Sequence, residues 1–162
     1  MYHYFNDNIT IETVNNIVDK LQAVDKEEKI ELYFSTNGGC SSSMEFLVNY
    51  FNSIKERLTI VLISRCWSAG TDLLVSYKGK IIINHSEMDS FVFHIKDREM
   101  HLQSKDRDLQ DMKIIRKQDK EDNLNFAKKI KNKNLLTNKQ LKDFIKGKDI
   151  IVYREQFKKW KL

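Results

Sequence analysis

The sequence contains no proline, two cysteines and five glycines. No apolar run in it approaches the roughly 20 residues that a bilayer-spanning helix needs. Two cysteines, Cys40 and Cys66, are too few for a disulfide framework, and both lie beside apolar stretches, so packed, reduced thiols are expected. The opening Met1-Tyr2-His3-Tyr4-Phe5-Asn6-Asp7 lacks a basic segment followed by an apolar one, so no secretory signal is expected and the expected compartment is cytoplasmic. No Cys/His pair and no HExxH-type spacing occurs, which leaves metal chemistry without support and no cofactor expected. The missing proline, with abundant Lys, Asn and Ile, is a compositional bias that points to no function.

What is present is a heavily charged globular chain of one-domain size, 162 residues, of which 41% are hydrophobic and 31% charged. The net charge of +5 is unevenly spread. Residues 1–95 hold 8 Lys and Arg against 12 Asp and Glu (−4), and residues 96–162 hold 20 against 11 (+9). The basic half mixes both signs (Lys105-Asp106-Arg107-Asp108) and has little aromatic interleaving, so a solvated helix is favoured over a nucleic-acid surface.

Periodicity sets the order of elements. Ile11, Val14, Ile17, Val18 and Leu21 mark an amphipathic helix, and Ile30–Thr36 alternates as a strand. After Asn37-Gly38-Gly39, Ser41, Ser42 and Ser43 offer helix caps, and Phe46, Leu47, Tyr50, Phe51 and Ile54 recur at helical spacing. Leu58–Ser64 is nearly continuous in apolar residues, as expected of a parallel strand covered on both faces. A short helix from Ser68 carries Ala69, Leu73, Leu74 and Tyr77 inward, and Ile81–Ile83 and Phe91–Phe93 follow as strands. Strand, helix and strand at these lengths imply an α/β fold of right-handed βαβ units around a mostly parallel sheet. From Arg98 to about Ile130 a charged helix with a thin apolar stripe suits a projecting arm, unbroken or interrupted near Asp119–Asn123, packing on another subunit. Thr137 and Gln140 have the spacing of a capping box, Ile150–Val152 reads as a last strand, and Phe157 and Trp160 pin the tail. Nothing separates two domains, so 1–162 is expected to be a single domain.

Three features follow the carboxyl ends of expected strands, where open parallel sheets bind their ligands. Ser68 stands where a strand hands over to a helix, beside unpaired amides that can hold an oxyanion. Gly38-Gly39 lacks Cβ atoms, so its amides can approach a carbonyl, and His94 can accept a hydroxyl proton and return it to a leaving amine. Taken singly, Ser68 is a helix cap, Gly38-Gly39 a tight turn and His94 a satisfied histidine.

These residues resemble the proteolytic subunit family of the Clp protease, within the Clp/crotonase fold. Leu32-Tyr33-Phe34-Ser35-Thr36-Asn37-Gly38-Gly39 is similar to that family's strand and Asn-Ser-Pro-Gly-Gly turn, and Cys66-Trp67-Ser68-Ala69-Gly70 to its Ala-Ala-Ser-Met-Gly nucleophile turn. Lys78-Gly79-Lys80 and Phe91-Val92-Phe93-His94 fall where its Lys-Gly-Lys and Met-Ile-His segments lie. The resemblance implies repeated ββα units around a mostly parallel sheet and a serine peptidase acting on peptide or protein substrates. In it Ser68 is the nucleophile, His94 the base, and Gly39 and Ala69 the oxyanion donors. It also implies a homo-oligomer. Three departures stand out. Asn132-Lys133-Asn134 occupies the place of the triad aspartate, Ile95-Lys96-Asp97-Arg98-Glu99 replaces a glycine-rich segment, and the pore-lining amino-terminal segment has no counterpart. The last disfavours docking to a partner ATPase. Two alternatives remain open: an inactive structural or regulatory subunit of the same fold, and a crotonase-like acyl-CoA enzyme.

Overall fold

The computed structural model describes residues 1–95 and 109–160, and of residues 109–113 and 115 it describes the backbone alone. The chain forms two compact units, Met1–Phe93 with Ile151–Leu162, and His94–Ile150. Its strands are β1 (Tyr2–Asn6), β2 (Ile30–Thr36), β3 (Leu58–Trp67), β4 (Lys80–Ile83), β5 (Ser90–Phe93) and β6 (Ile150–Tyr153). Between and after them lie α1 (Ile11–Gln22), α2 (Ser41–Ser53), α3 (Asp72–Ser76), α4 (Leu109–Asn132), α5 (Asn138–Ile145) and α6 (Arg154–Phe157). This is an α/β architecture. Neighbours in the sheet run β1-β2-β3-β5-β6, with β4 also on β3, and the pairings β1–β2, β2–β3, β3–β4 and β3–β5 are all parallel.

In the first unit each crossover steps the same way across the sheet, which for right-handed connections places the helices on one face. Burial agrees. Leu32, Phe34, Ile60 and Leu62 are wholly buried, as are Leu21, Met44, Leu47 and Phe51 from α1 and α2. On the opposite face Tyr2 and Tyr4 are exposed and Tyr33 stacks on Tyr4, with ring centroids 5.0 Å apart. Thr59 and Ile63 are only half-buried, so β3 is covered on both faces over part of its length alone.

Several expectations need correction. Ile11 is 73% exposed, because it occupies the first residue of α1 beyond the cap Thr10, and the buried stripe is Val14, Ile17, Val18 and Leu21. Phe46 is 53% exposed; the stripe that α2 buries is Met44, Leu47, Val48 and Phe51, at i, i+3, i+4 and i+7. The cap of α2 is Cys40, whose side chain makes no capping hydrogen bond to the helix backbone, and the three serines fall inside its first turn. β1 was not expected from the sequence.

β3 holds the main irregularity. Phe34 pairs with Leu62 but Thr36 pairs with Cys66, so two steps along β2 match four along β3. The bulge contains Ser64 in the left-handed region (φ 55°), where L-residues rarely sit. Its amide donates to Glu87 O (3.1 Å) and its carbonyl accepts from Asp89 N (2.6 Å). The bulge divides the strand: Thr59–Leu62 pairs with β4, and Arg65–Trp67 pairs with β5. The tail closes this part of the unit, with buried Phe157 edge-on to Phe91 (5.2 Å) and Arg154 donating to the carbonyls of Ser86 and Met88 (both 3.2 Å).

In the second unit α4 runs unbroken through Asp119–Asn123; residues 98–108 of the expected helix lie outside the described residues. Phe126 of α4 packs with Phe144 of α5, their rings 6.0 Å apart, and Ile130 of α4 is buried. The Thr137–Gln140 capping box is present: Thr137 Oγ1 accepts from the Gln140 amide (3.2 Å), and Gln140 Oε1 accepts from the Thr137 amide (2.9 Å).

Ser64 gives a direct test of the bulge. Ser64→Gly removes the left-handed penalty and is expected to be neutral or to stabilise by about 1 kcal/mol in urea unfolding, whereas Ser64→Val is expected to cost about 2 kcal/mol or more. Equal stability of the two variants would mean that the bulge is not built as described.

Candidate active site

The site begins at the carboxyl end of β3. Trp67 leaves the strand extended and Ser68 turns left-handed (φ 54°), opening a 3₁₀ turn, Ser68–Thr71, that runs into α3. A non-glycine residue in this conformation on a strand-to-helix turn is strained, and such strain presents a side chain at the crest of the turn. The Thr71 hydroxyl donates to Ser68 O (2.7 Å) and braces it. Trp67 Nε1 donates to Ser90 Oγ (3.1 Å), and the Arg65 guanidinium lies 5.6 Å from the Trp67 ring centre, so the approach to Ser68 is tied to β5.

The double-glycine turn comes from β2. Gly38 is left-handed (φ 98°) and lies directly against Ser68. A Cβ at Gly38 would sit 2.5 Å from Ser68 Cβ and 2.8 Å from Trp67 O, so only glycine fits. The turn is held on its other side by Ile9, whose amide donates to Gly38 O (2.8 Å) and whose carbonyl accepts from Cys40 N (2.8 Å). Gly39 (φ 143°) is pressed on Ile9 closely enough that a Cβ would overlap the Ile9 carbonyl. Thr36 Oγ1 accepts from Gly38 N (3.0 Å). Two of the three successive amides are thus engaged, while among the described residues the Gly39 N–H donates no hydrogen bond. The Ala69 N–H, at the start of a helical turn, has no acceptor within that turn.

Gly38, Gly39, Ser68 and Ala69 therefore come together within the first unit. His94 follows Phe93, the last residue of β5, and the register of β5 on β3 pairs Trp67 with Val92. His94 is exposed and is the first residue of the second unit. Asn132, Lys133 and Asn134 belong to that unit too, at the end of α4. Asn134 is left-handed (φ 53°), its amide donates to Lys131 O (3.0 Å), and Leu135 N donates to Ile130 O (3.2 Å), the geometry of a helix C-cap. Lys133 is half-buried, and desolvation lowers its pKa below the ordinary lysine value. Among the described residues no group of three or more His, Cys, Asp or Glu is arranged to hold a metal ion, and no helix is long and apolar enough to cross a membrane.

The two thiols differ, against the expectation that both are packed. Cys66 is buried, and desolvation followed by the nearby Asp72 pushes its pKa up. Cys40 is exposed, because the chain must leave the glycine turn before α2 can begin. Its thiol is lowered to about 7, chiefly by the Ser42 side chain, whose Oγ lies 3.1 Å from Sγ, then by the Ser43 side chain. Thr36 and Cys40 are the two members of this neighbourhood that sequence reasoning passed over as functional. Thr36 reads as an ordinary strand end, and nothing in the pattern shows that it would occupy one glycine amide.

No protein-family model matches the chain, and no curated protein matches it.

Cys40 carries a pH prediction. Because its pKa is lowered, thiolate reactivity rises as pH increases through about 7 rather than through the ordinary value of about 8.5. Titrated with a disulfide reagent, the native protein should expose one fast thiol with that midpoint; Cys40→Ser should remove it and Ser42→Ala should move the midpoint upward. A midpoint at the ordinary value would contradict the contact with Ser42.

Proposed function

We propose that the chain is a serine-type hydrolase of peptide bonds, built on a Clp/crotonase-like fold, with Ser68 as its nucleophile. The observation that carries this reading is the left-handed Ser68 held against Gly38, with the Gly39 N–H left without an acceptor among the described residues. Attack by Ser68 Oγ on a peptide carbonyl converts the carbonyl oxygen to an oxyanion. Amides that need no reorganisation to meet that charge can supply a large part of the rate, about 10²–10³ per donor in the template case. The Gly39 and Ala69 N–H groups are the donors in this reading. The step also needs a base, a role that the family resemblance assigns to His94: its imidazole takes the hydroxyl proton and delivers it to the leaving amine. The resulting acyl-serine is released by water along the same route in reverse, with His94 now activating the water. Self-association through α4 completes the proposal.

A second reading is favoured by one specific observation. Lys133, half-buried at the C-cap of α4, stands where the resemblance calls for a carboxylate. A lysine cannot orient and stabilise an imidazolium as a carboxylate does, and loss of that partner can cost about 10⁴ in turnover. On this reading the chain is a non-catalytic subunit that keeps the fold and the assembly surface.

Labelling with a fluorophosphonate separates the two. The hydrolase reading predicts stoichiometric labelling that disappears in Ser68→Ala and slows by about 10²–10⁴ in His94→Ala, the usual worth of a general base. Absence of labelling in folded protein at every accessible pH would leave the non-catalytic subunit.

A further inference from the structure

At the amino ends of the strands, opposite the Ser68 turn, the first unit carries a cavity of about 410 Å³. Lys29, Lys55, Arg57, Lys78 and Lys80 line it, and Glu56 is its one acidic lining residue. Residues 1–95 contain only 8 Lys and Arg and are acidic on balance, so five of those eight cations gather at a single place. They arrive from the connections before β2 and β3 and from the turn into β4, of which Lys80 is the first residue. Like charges drawn together this way repel, and a fold that holds them together gains most when a multiply charged anion sits among them.

The cations are held by a braced frame. Asn52 clamps the Lys78 turn, its Oδ1 accepting from Lys78 N (2.8 Å) and its Nδ2 donating to Ser76 O (3.1 Å). The Tyr77 hydroxyl donates to Leu58 O (2.7 Å), and Gly79 lies flat on the Tyr77 ring, where a Cβ would overlap it. Burial pushes the Tyr77 phenol up to about 12, so this strut stays a neutral donor. Lys29 Nζ donates to Glu56 O (2.9 Å), and the Arg57 guanidinium donates to the carbonyls of Asp25 and Leu21. Those acceptors are carbonyls, which leave the positive charges unneutralised. Lys55 meets Glu56 at 3.7 Å, but Glu56 itself is almost fully solvated, and neither Lys78 nor Lys80 forms an ion pair with a described residue.

We propose that this cavity binds a compact soluble polyphosphate, a small molecule carrying two or three linked phosphate groups. The volume lies within the roughly 300–1,000 Å³ of small-molecule sites. Lysine ammonium groups, point charges with rotatable donors, suit clustered phosphate oxygens, and the carbonyl-bound Arg57 guanidinium adds its positive charge beside them. The lining has no aromatic side chain on which a nucleic-acid base could stack, which disfavours single-stranded RNA. Convergence of the cations into one bowl also disfavours an extended acidic peptide. This site is independent of Ser68 and stands whether or not the chain is a hydrolase.

Calorimetric titration of the full chain with inorganic tripolyphosphate tests it. The expected result is saturable one-to-one binding that weakens as salt is raised, about tenfold or more weaker in Lys78→Gln/Lys80→Gln and unchanged in Lys158→Gln/Lys159→Gln, which removes the same charge from outside the cavity. Thermal unfolding of each variant confirms that it is folded, and both pairs are surface lysines whose loss leaves the Asn52 and Tyr77 braces in place. No saturable binding, equal loss in both double variants, or tighter binding of poly-glutamate, an RNA oligonucleotide or anionic vesicles than of tripolyphosphate would overturn the proposal.

Discussion

The close approach of Gly38 to Ser68 is the constraint on which the rest of the first unit depends. Two chain segments from neighbouring parallel strands meet where Ser68, in a left-handed conformation, presents its Cβ and Oγ, so that the facing residue, Gly38, can carry no Cβ. Such a contact holds only if both segments are fixed from behind. Ile9 does this for the glycine turn with two backbone hydrogen bonds, and the Thr71 hydroxyl does it for the serine. The strain at Ser68 is supported by neighbours that over-determine it, which is the condition under which strained residues persist.

The bulge in β3 serves the same end. A straight β3 would keep its register with β2 and end against the same neighbour from which it started. With two extra residues at Ser64, the strand gives up β4 and takes β5, so the Ser68 turn is delivered beside the strand that ends in Phe93. One strand thereby has a structural half, where Ile60 and Leu62 are buried, and a positioning half that carries Trp67 to Ser68. At the other end of the same sheet, the loops before β2, β3 and β4 bring cations together, as the loops after β2 and β3 bring amides and a hydroxyl together. The two ends of the sheet thus carry different groups: glycine-turn amides and a serine hydroxyl at one, clustered cationic side chains at the other.

Much of this was legible in the sequence because it rests on period and punctuation. The parallel order of β2, β3 and β4, the short helix after Ser68, the Thr137–Gln140 cap and the role of Phe157 follow from apolar spacing and from the few residues that interrupt it. β1 escaped notice because its alternation is aromatic against mixed, Tyr2 and Tyr4 outward with His3 and Phe5 between, and resembles a polar start. The bulge escaped because Ser64 has none of the residue types that announce a left-handed turn. Phe46 and Ile11 are large and apolar yet face solvent, because the helix face is set by the whole stripe and not by one residue's type. At the site, residue types pointed to the glycine turn and Ala69, and the resemblance alone singled out Gly39; which glycine amide is left without an acceptor among the described residues depends on Thr36, a side-chain contact that no pattern encodes.

The central claim is that Gly38 and Ser68 touch with no space for a side chain, and the stability of Gly38→Ala measures it most directly. Left-handed backbone alone costs an L-residue about 1–2 kcal/mol. A Cβ placed 2.5 Å from Ser68 Cβ must displace backbone as well. Urea unfolding of Gly38→Ala is therefore expected to show a loss of about 3 kcal/mol or more. A loss of about 1 kcal/mol or less would show that the two turns are not packed against each other, and the account of the site would fail with them.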